Sequence, residues 1–158
     1  MTLTINQQAP DISLQNQEDK TINLSDYKGK WVLVYFYPKD DTPGCTIEAC
    51  LLSSNLPDFS SLNAVVLGVS IDNVKSHKKF HDKYKLSFDL LADTEKKVVE
   101  SYGVWAEKKF IGRSYMGINR SSFLINPEGK IVKIYENVKP PIHAKEVVND
   151  LKQYNQSS

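Results

Sequence analysis

Long apolar runs are missing from this chain: none approaches the ~20 residues that a membrane-spanning helix needs. The N-terminal stretch MTLTINQQAPDISLQ has neither a basic n-region nor an apolar h-region, so no secretory signal is read there and a reducing cytoplasm is the expected location. Excess charge of one sign is missing too. Twenty basic and nineteen acidic residues nearly cancel, which argues against nucleic acid or an anionic membrane surface as a partner. Cysteine is scarce: Cys45 and Cys50 are too few for a disulfide scaffold. In a reducing compartment so close a pair points instead to catalysis or metal binding. Repeats, low-complexity segments and interdomain linkers are also lacking, so residues 1–158 read as one domain with a frayed tail at 155–158.

The segments that are present alternate strand and helix. Residues 11–24 read as a hairpin of two short strands around the polar turn 16–19. WVLVYFY (31–37) and AVVLGVSI (64–71) are continuous apolar, β-branched and aromatic runs, as expected of strands buried on both faces. Between them a helix is expected over 43–55, with Pro57 opening a further short one. That makes a right-handed βαβ unit. Val74, His77, Phe80, His81 and Tyr84 recur at helical spacing, 88–91 reads as a short strand and 95–102 as another helix. Residues 121–125 and 130–135 flank Asn126-Pro127-Glu128-Gly129 and read as an antiparallel hairpin. A last helix spans 143–154, with His143 at its start. The expected class is α/β: a thioredoxin-like fold whose mixed central sheet is flanked by helices, with an N-terminal β-hairpin.

The chemistry gathers at PKDDTPGCT (38–46), between a buried strand and a helix. Thr42 suits the N-cap, Pro43 the first helical position, and Cys45 then falls in the first turn. Free amide N–H groups and the positive end of the helix dipole collect there, and both favour a thiolate. Thiolate formation alone is not enough for fast chemistry. A thiol whose pKa fell from about 8.5 to about 6 would gain about 30-fold in thiolate at pH 7 and lose about tenfold in nucleophilicity. A large acceleration needs groups aimed at the charge that develops on the leaving group. Thr42 can offer a hydroxyl to the sulfur or to a bound substrate, or it can simply cap the helix. An arginine would be the natural second group. The chain has two, Arg113 and Arg120; on their residues alone both read as surface charges, although Arg120 directly precedes the strand SSFLI. Cys50 lies five residues after Cys45, which on an intact helix separates the Cα atoms by about 8–9 Å. A disulfide requires less than about 7 Å. Bridging therefore requires part of the helix to unwind, which the polar Ser53-Ser54-Asn55 run and Pro57 would assist.

FYPKDDTPGCTIEAC (36–50) resembles the peroxiredoxin family, in its Q or bacterioferritin-comigratory subgroup. It holds that family's Pro-x-x-x-Thr-x-x-Cys signature as Pro38, Thr42 and Cys45, and the subgroup's second cysteine as Cys50. YGVWAEK (102–108) and GINRSSFLI (117–125) resemble two further subgroup stretches, the second placing the family's arginine at Arg120. The resemblance implies reduction of hydrogen peroxide and small organic hydroperoxides. Cys45 would become a sulfenic acid, Cys50 would resolve it to an intramolecular disulfide, Thr42 and Arg120 would hold thiolate and peroxide, and Pro38 would shield the pocket. It further implies a thioredoxin-like reductant, no metal or organic cofactor, and a monomer or weak homodimer. Glu48 matches an acidic position of the subgroup but reads here as an exposed helix residue, and Asp40-Asp41 fall at variable positions of the signature.

Other signals are weaker. His77 and His81 stand four apart, a spacing that can hold a metal, but they lie in KSHKKFHDKYK, which reads as a lysine-rich solvated face. Those lysines have no recognition motif beside them that would suggest nucleic acid. Tyr102 and Trp105 read as core or pocket wall. Two rival functions remain. A thiol–disulfide oxidoreductase would normally carry Cys-x-x-Cys, and a redox-regulated binding or chaperone-like protein would show no peroxide reactivity beyond that of free cysteine.

Overall fold

A computed structural model describes residues 3–156. Its main sheet has seven strands. The two apolar runs form its centre: β3 (Trp31–Phe36) and β4 (Ala64–Ser70) pair in parallel, and β5 (Asp89–Ala92) adds to β4 in parallel. β8 (Ser121–Ile125) pairs antiparallel with β3, and β9 (Ile131–Tyr135) antiparallel with β8. At the other edge β1 (Ser13–Gln15) and β2 (Thr21–Asn23) form the expected hairpin, held to β5 through β1. The sheet is thus mixed.

Because side chains alternate across a strand, β3 divides its apolar residues between two cores. Leu33 and Tyr35 join the core built with Ala49, Leu52, Phe59, Phe80, Val147 and Leu151. These belong to α1 (Pro43–Ser54), α2 (Leu56–Ser61), α3 (Val74–Tyr84) and α5 (His143–Gln156). Val32, Val34 and Phe36 join the opposite core with Val98 and Val99 of α4 (Lys97–Ser101). Helices therefore cover both faces, as the thioredoxin-like arrangement requires. At the end of the chain α5 continues through Asn155 and Gln156, two residues that the sequence assigned to a frayed tail; Ser157 and Ser158 lie outside the described residues.

One element differs from expectation. Residues 105–118, of which only the ends fell within the resembling stretches 102–108 and 117–125, form a two-stranded arm, β6 (Trp105–Phe110) paired with β7 (Arg113–Ile118), outside the main sheet. Ile111 and Gly112 make its two-residue turn with φ of 47° and 72°. Two central residues at positive φ define the hairpin turn whose twist suits flanking strands, but isoleucine is an unusual occupant of it. The arm carries exposed Phe110, Ile111, Tyr115 and Met116.

Candidate active site

β3 delivers the chain to the loop 37–42, and α1 begins at Pro43 with Thr42 as its N-cap in extended conformation. The expected helix start is therefore where the sequence placed it. Thr42 does not cap through its side chain: its hydroxyl donates to the Lys39 carbonyl at 2.9 Å. A hydroxyl has one hydrogen, so its lone pairs are left as acceptors. Pro38 is half-buried at the head of this loop. Cys45 lies in the first turn of α1, 1% exposed, and Cys50 lies further along the same unbroken helix, half-buried. Burial pushes the Cys50 thiol pKa up. Both sulfurs are free thiols.

Arg120 reaches Cys45 from just before β8, the strand next to β3. One arm of its guanidinium donates to Cys45 Sγ at 3.2 Å and the other to Glu48 Oε1 at 2.7 Å. Arg113, by contrast, is exposed at the start of β7. Of the two arginines only Arg120 meets the sulfur, although the residues alone made both surface charges. Burial disfavours its charge, yet Glu48 and Cys45 more than offset this and hold Arg120 above the ordinary arginine range. Gly44 makes room for the approach: a Cβ there would stand 3.2 Å from Arg120 Nη2.

Glu48 corrects the sequence reading. It is 1% exposed, not a solvent-facing helix residue, because it lies on the buried stripe of α1 with Cys45, Ala49 and Leu52. A 2.7 Å ion pair would by itself depress a carboxyl pKa, but here desolvation wins and Glu48 is raised to about 7. Its Oε2 has no hydrogen-bond partner among the described residues, which is consistent with that balance. Lys108 of β6 was also missed by sequence reasoning. Burial and then Arg120 hold its ammonium below the usual lysine range, while Cys45 opposes them, so the arm contributes a cation to the surroundings of the site.

His77 is a second correction. It is fully buried in α3, and Phe80 is buried with it, so this stretch is not a uniformly solvated face. Its Nδ1 lies 2.7 Å from Asp40 Oδ2 and its Nε2 2.8 Å from the Leu91 carbonyl. His81, its partner at helical spacing, is partly exposed and approaches Asp82 instead. Tyr102 is buried and Trp105 half-buried, and both line a cleft of about 670 Å³. None of Cys45, Cys50, Thr42, Pro38 or Arg120 lines it. The cleft is thus separate from the cluster at the α1 N-terminus. No helix among the described residues is long and apolar enough to cross a membrane.

Known proteins resemble the chain over nearly its whole length. Residues 5–134 match the AhpC/TSA family. The chain is 48% identical over 152 residues to the peroxiredoxin Bcp of Bacillus subtilis (strain 168), covering 96% of this chain and 97% of that one. Among solved structures it superposes with a TM-score of 0.93 on a cysteine-to-serine mutant of PrxQ from Xylella fastidiosa, at 38% identity and with 98% and 99% of the two chains covered. The bacterioferritin comigratory protein of Xanthomonas campestris, studied for its alkyl peroxide reduction activity, gives 0.86 at 38% identity, over 90% and 91% of the chains.

Proposed function

Since the chain belongs to the AhpC/TSA family and is a thiol-dependent peroxidase, we propose that Cys45 is the peroxidatic thiol and Cys50 the resolving one. The observation that carries this assignment is the single guanidinium of Arg120, anchored on buried Glu48 and donating to Cys45 Sγ at 3.2 Å. A positive donor fixed at the sulfur stabilises negative charge there. It can follow that charge as it moves to the leaving oxygen without reorganising.

The Cys45 thiolate attacks the outer oxygen of a hydroperoxide: an S–O bond forms, the O–O bond breaks, and an alkoxide leaves to take up a proton. Sulfur loses two electrons and the peroxide gains them. Thr42, with its hydrogen spent on Lys39, accepts the peroxide O–H, while Arg120 donates to the departing oxygen. Pro38 shields the pocket. Cys50 as thiolate then attacks the sulfenic sulfur, forming the disulfide and expelling hydroxide, after α1 has opened. Hydrogen peroxide and small organic hydroperoxides are the substrates. A thioredoxin-like dithiol protein returns both thiols, and the enzyme works without metal or organic cofactor in the cytoplasm as a monomer or weak homodimer. Exposed Ile47, beside the buried stripe of α1, offers an apolar contact for such a reductant.

The test is stopped-flow oxidation of the reduced protein by hydrogen peroxide with intact mass at the endpoint. Fast reaction with loss of two hydrogens is expected, abolished by Cys45→Ser and diverted to sulfenic or more oxidised products by Cys50→Ser. A rate no greater than that of free cysteine would exclude the Cys45 assignment.

A further inference from the structure

Asp40 stands in the catalytic loop, is 7% exposed, and takes no part in the chemistry just described. Its carboxylate is nevertheless the most heavily tied group of that loop. Oδ1 accepts from the Tyr37 hydroxyl at 2.6 Å; Oδ2 accepts from Ser76 Oγ at 2.8 Å and meets His77 Nδ1 at 2.7 Å. Behind it, His77 Nε2 faces the Leu91 carbonyl at 2.8 Å, and since a carbonyl only accepts, that nitrogen is the donor. The Asp40 backbone N–H donates to Asp72 Oδ2 at 2.9 Å, and that oxygen is itself held by Ser70 Oγ at 2.7 Å. The next residue, Asp41, at φ 57°, is fastened to α3 by Lys83 and Tyr84.

One of these ties, from the Asp40 N–H to Asp72, acts directly on the Lys39–Asp40 peptide, and the carboxylate ties hold the residue that carries it. The N–H of Asp40 and the C=O of Lys39 belong to the same plane, so fixing one direction fixes the other. That C=O is the acceptor of the Thr42 hydroxyl. Resting on the peroxidatic role of Cys45, we propose that His77 is a positioning residue for peroxide attack: through Asp40 it fixes the Lys39–Asp40 peptide and so aims the Thr42 hydroxyl at the start of the helix that carries the sulfur. The frame lies upstream of α1 and is anchored to α3 and β4, so it stays in place when α1 opens.

The two amide replacements of His77 separate this role from a merely structural one. Asparagine places its amide near the Nδ1 position and keeps the Asp40 contact; glutamine reaches the Nε2 position and keeps the Leu91 contact. Positioning predicts that His77→Gln slows the second-order reaction with hydrogen peroxide by about tenfold or more, since small misplacements near the reacting atoms carry penalties of that order. His77→Asn should stay within about threefold of the parent, while a role confined to tying α3 to β5 predicts the reverse order. In a Thr42→Val background His77→Gln should add less than about twofold, because the two changes remove one function. Equal rates for both His77 variants, Gln faster than Asn, or full multiplicative loss with Thr42→Val would each overturn the proposal. If neither His77 variant folds by circular dichroism, Tyr37→Phe removes the donor to Asp40 Oδ1, and its rate should fall at least threefold; an unchanged rate overturns the proposal equally. A parent protein that reacts no faster than free cysteine would instead sink the peroxidatic reading itself.

Discussion

Two residues around Arg120 carry predictions of their own. Glu48 is buried and its pKa is raised from 4.5 to about 7, chiefly by desolvation. The folded protein therefore binds a proton that the unfolded chain releases between those values. The associated stability is fully present below pH 4.5 and is lost as pH rises through 7, by on the order of 3 kcal/mol. Urea denaturation of the reduced protein at pH 5 and pH 8 should show the parent losing stability relative to Glu48→Gln over that interval; parallel curves would remove Glu48 as the cause. Gly44 tests the approach of the arginine. An added Cβ would sit 3.2 Å from Arg120 Nη2, tight enough that the guanidinium must shift by a few tenths of an ångström. Alanine is the better helix former by about 1 kcal/mol, so Gly44→Ala should be no less stable than the parent. It should still react several-fold more slowly with peroxide, by stopped-flow, because the donor is moved off the sulfur. A stable variant of undiminished rate would mean that the 3.2 Å contact between Arg120 and Cys45 does not matter for attack.

Helices and strands divide between those that the chain announces locally and those that depend on partners far away in sequence. β3 and β4 are apolar on both faces because both faces are covered, so composition alone identifies them. The start of α1 is equally legible, since Thr42-Pro43 carries its own boundary. The arm β6–β7 is not. Its exposed faces impose no apolar alternation, and its turn places Ile111 at positive φ where the usual signal is asparagine or glycine. The burial of Glu48 and His77 was hidden for a related reason. The Glu48 partner, Arg120, is 72 residues away, and His77 is held by Asp40 and the Leu91 carbonyl, 37 and 14 residues away. Local pattern shows polar residues in a helix and cannot show which of them find a partner inside. α1 itself carries the next prediction. Cys45 and Cys50 lie five apart in one continuous helix, too far for a disulfide by about 2 Å between Cα atoms. The helix already ends at Asn55, where α2 follows at once with Pro57 in its first turn. Hydrogen exchange of the oxidised protein should show protection lost across 45–50 and kept in β3 and β4; an unchanged α1 would exclude the opening step.

For the molecule as a whole, opening α1 sets a disulfide against a core. Closing a loop of about six residues constrains the unfolded chain by roughly 2 kcal/mol. Against it stands the inner face of α1. Ala49 and Leu52 are fully buried, and Leu52 alone represents about 2 kcal/mol of burial. Drawing Cys45 away also disturbs the Arg120 and Glu48 pair, and stranding one member of a buried pair typically costs about 3–5 kcal/mol. Relaxation recovers part of this, since an exposed Glu48 regains water. The losses still exceed the gain, so the oxidised protein should be the less stable state. For a domain of this size each kcal/mol moves the melting temperature by about 2–4 °C. Calorimetry of the reduced and disulfide forms at one pH should therefore place the oxidised Tm lower by several degrees. The same inequality drives turnover: a disulfide that strains its host favours return to the dithiol, in which α1 is whole and Cys45 again lies beside Arg120. An oxidised form melting higher than the reduced one would mean that α1 accommodates the bridge without giving up its buried face.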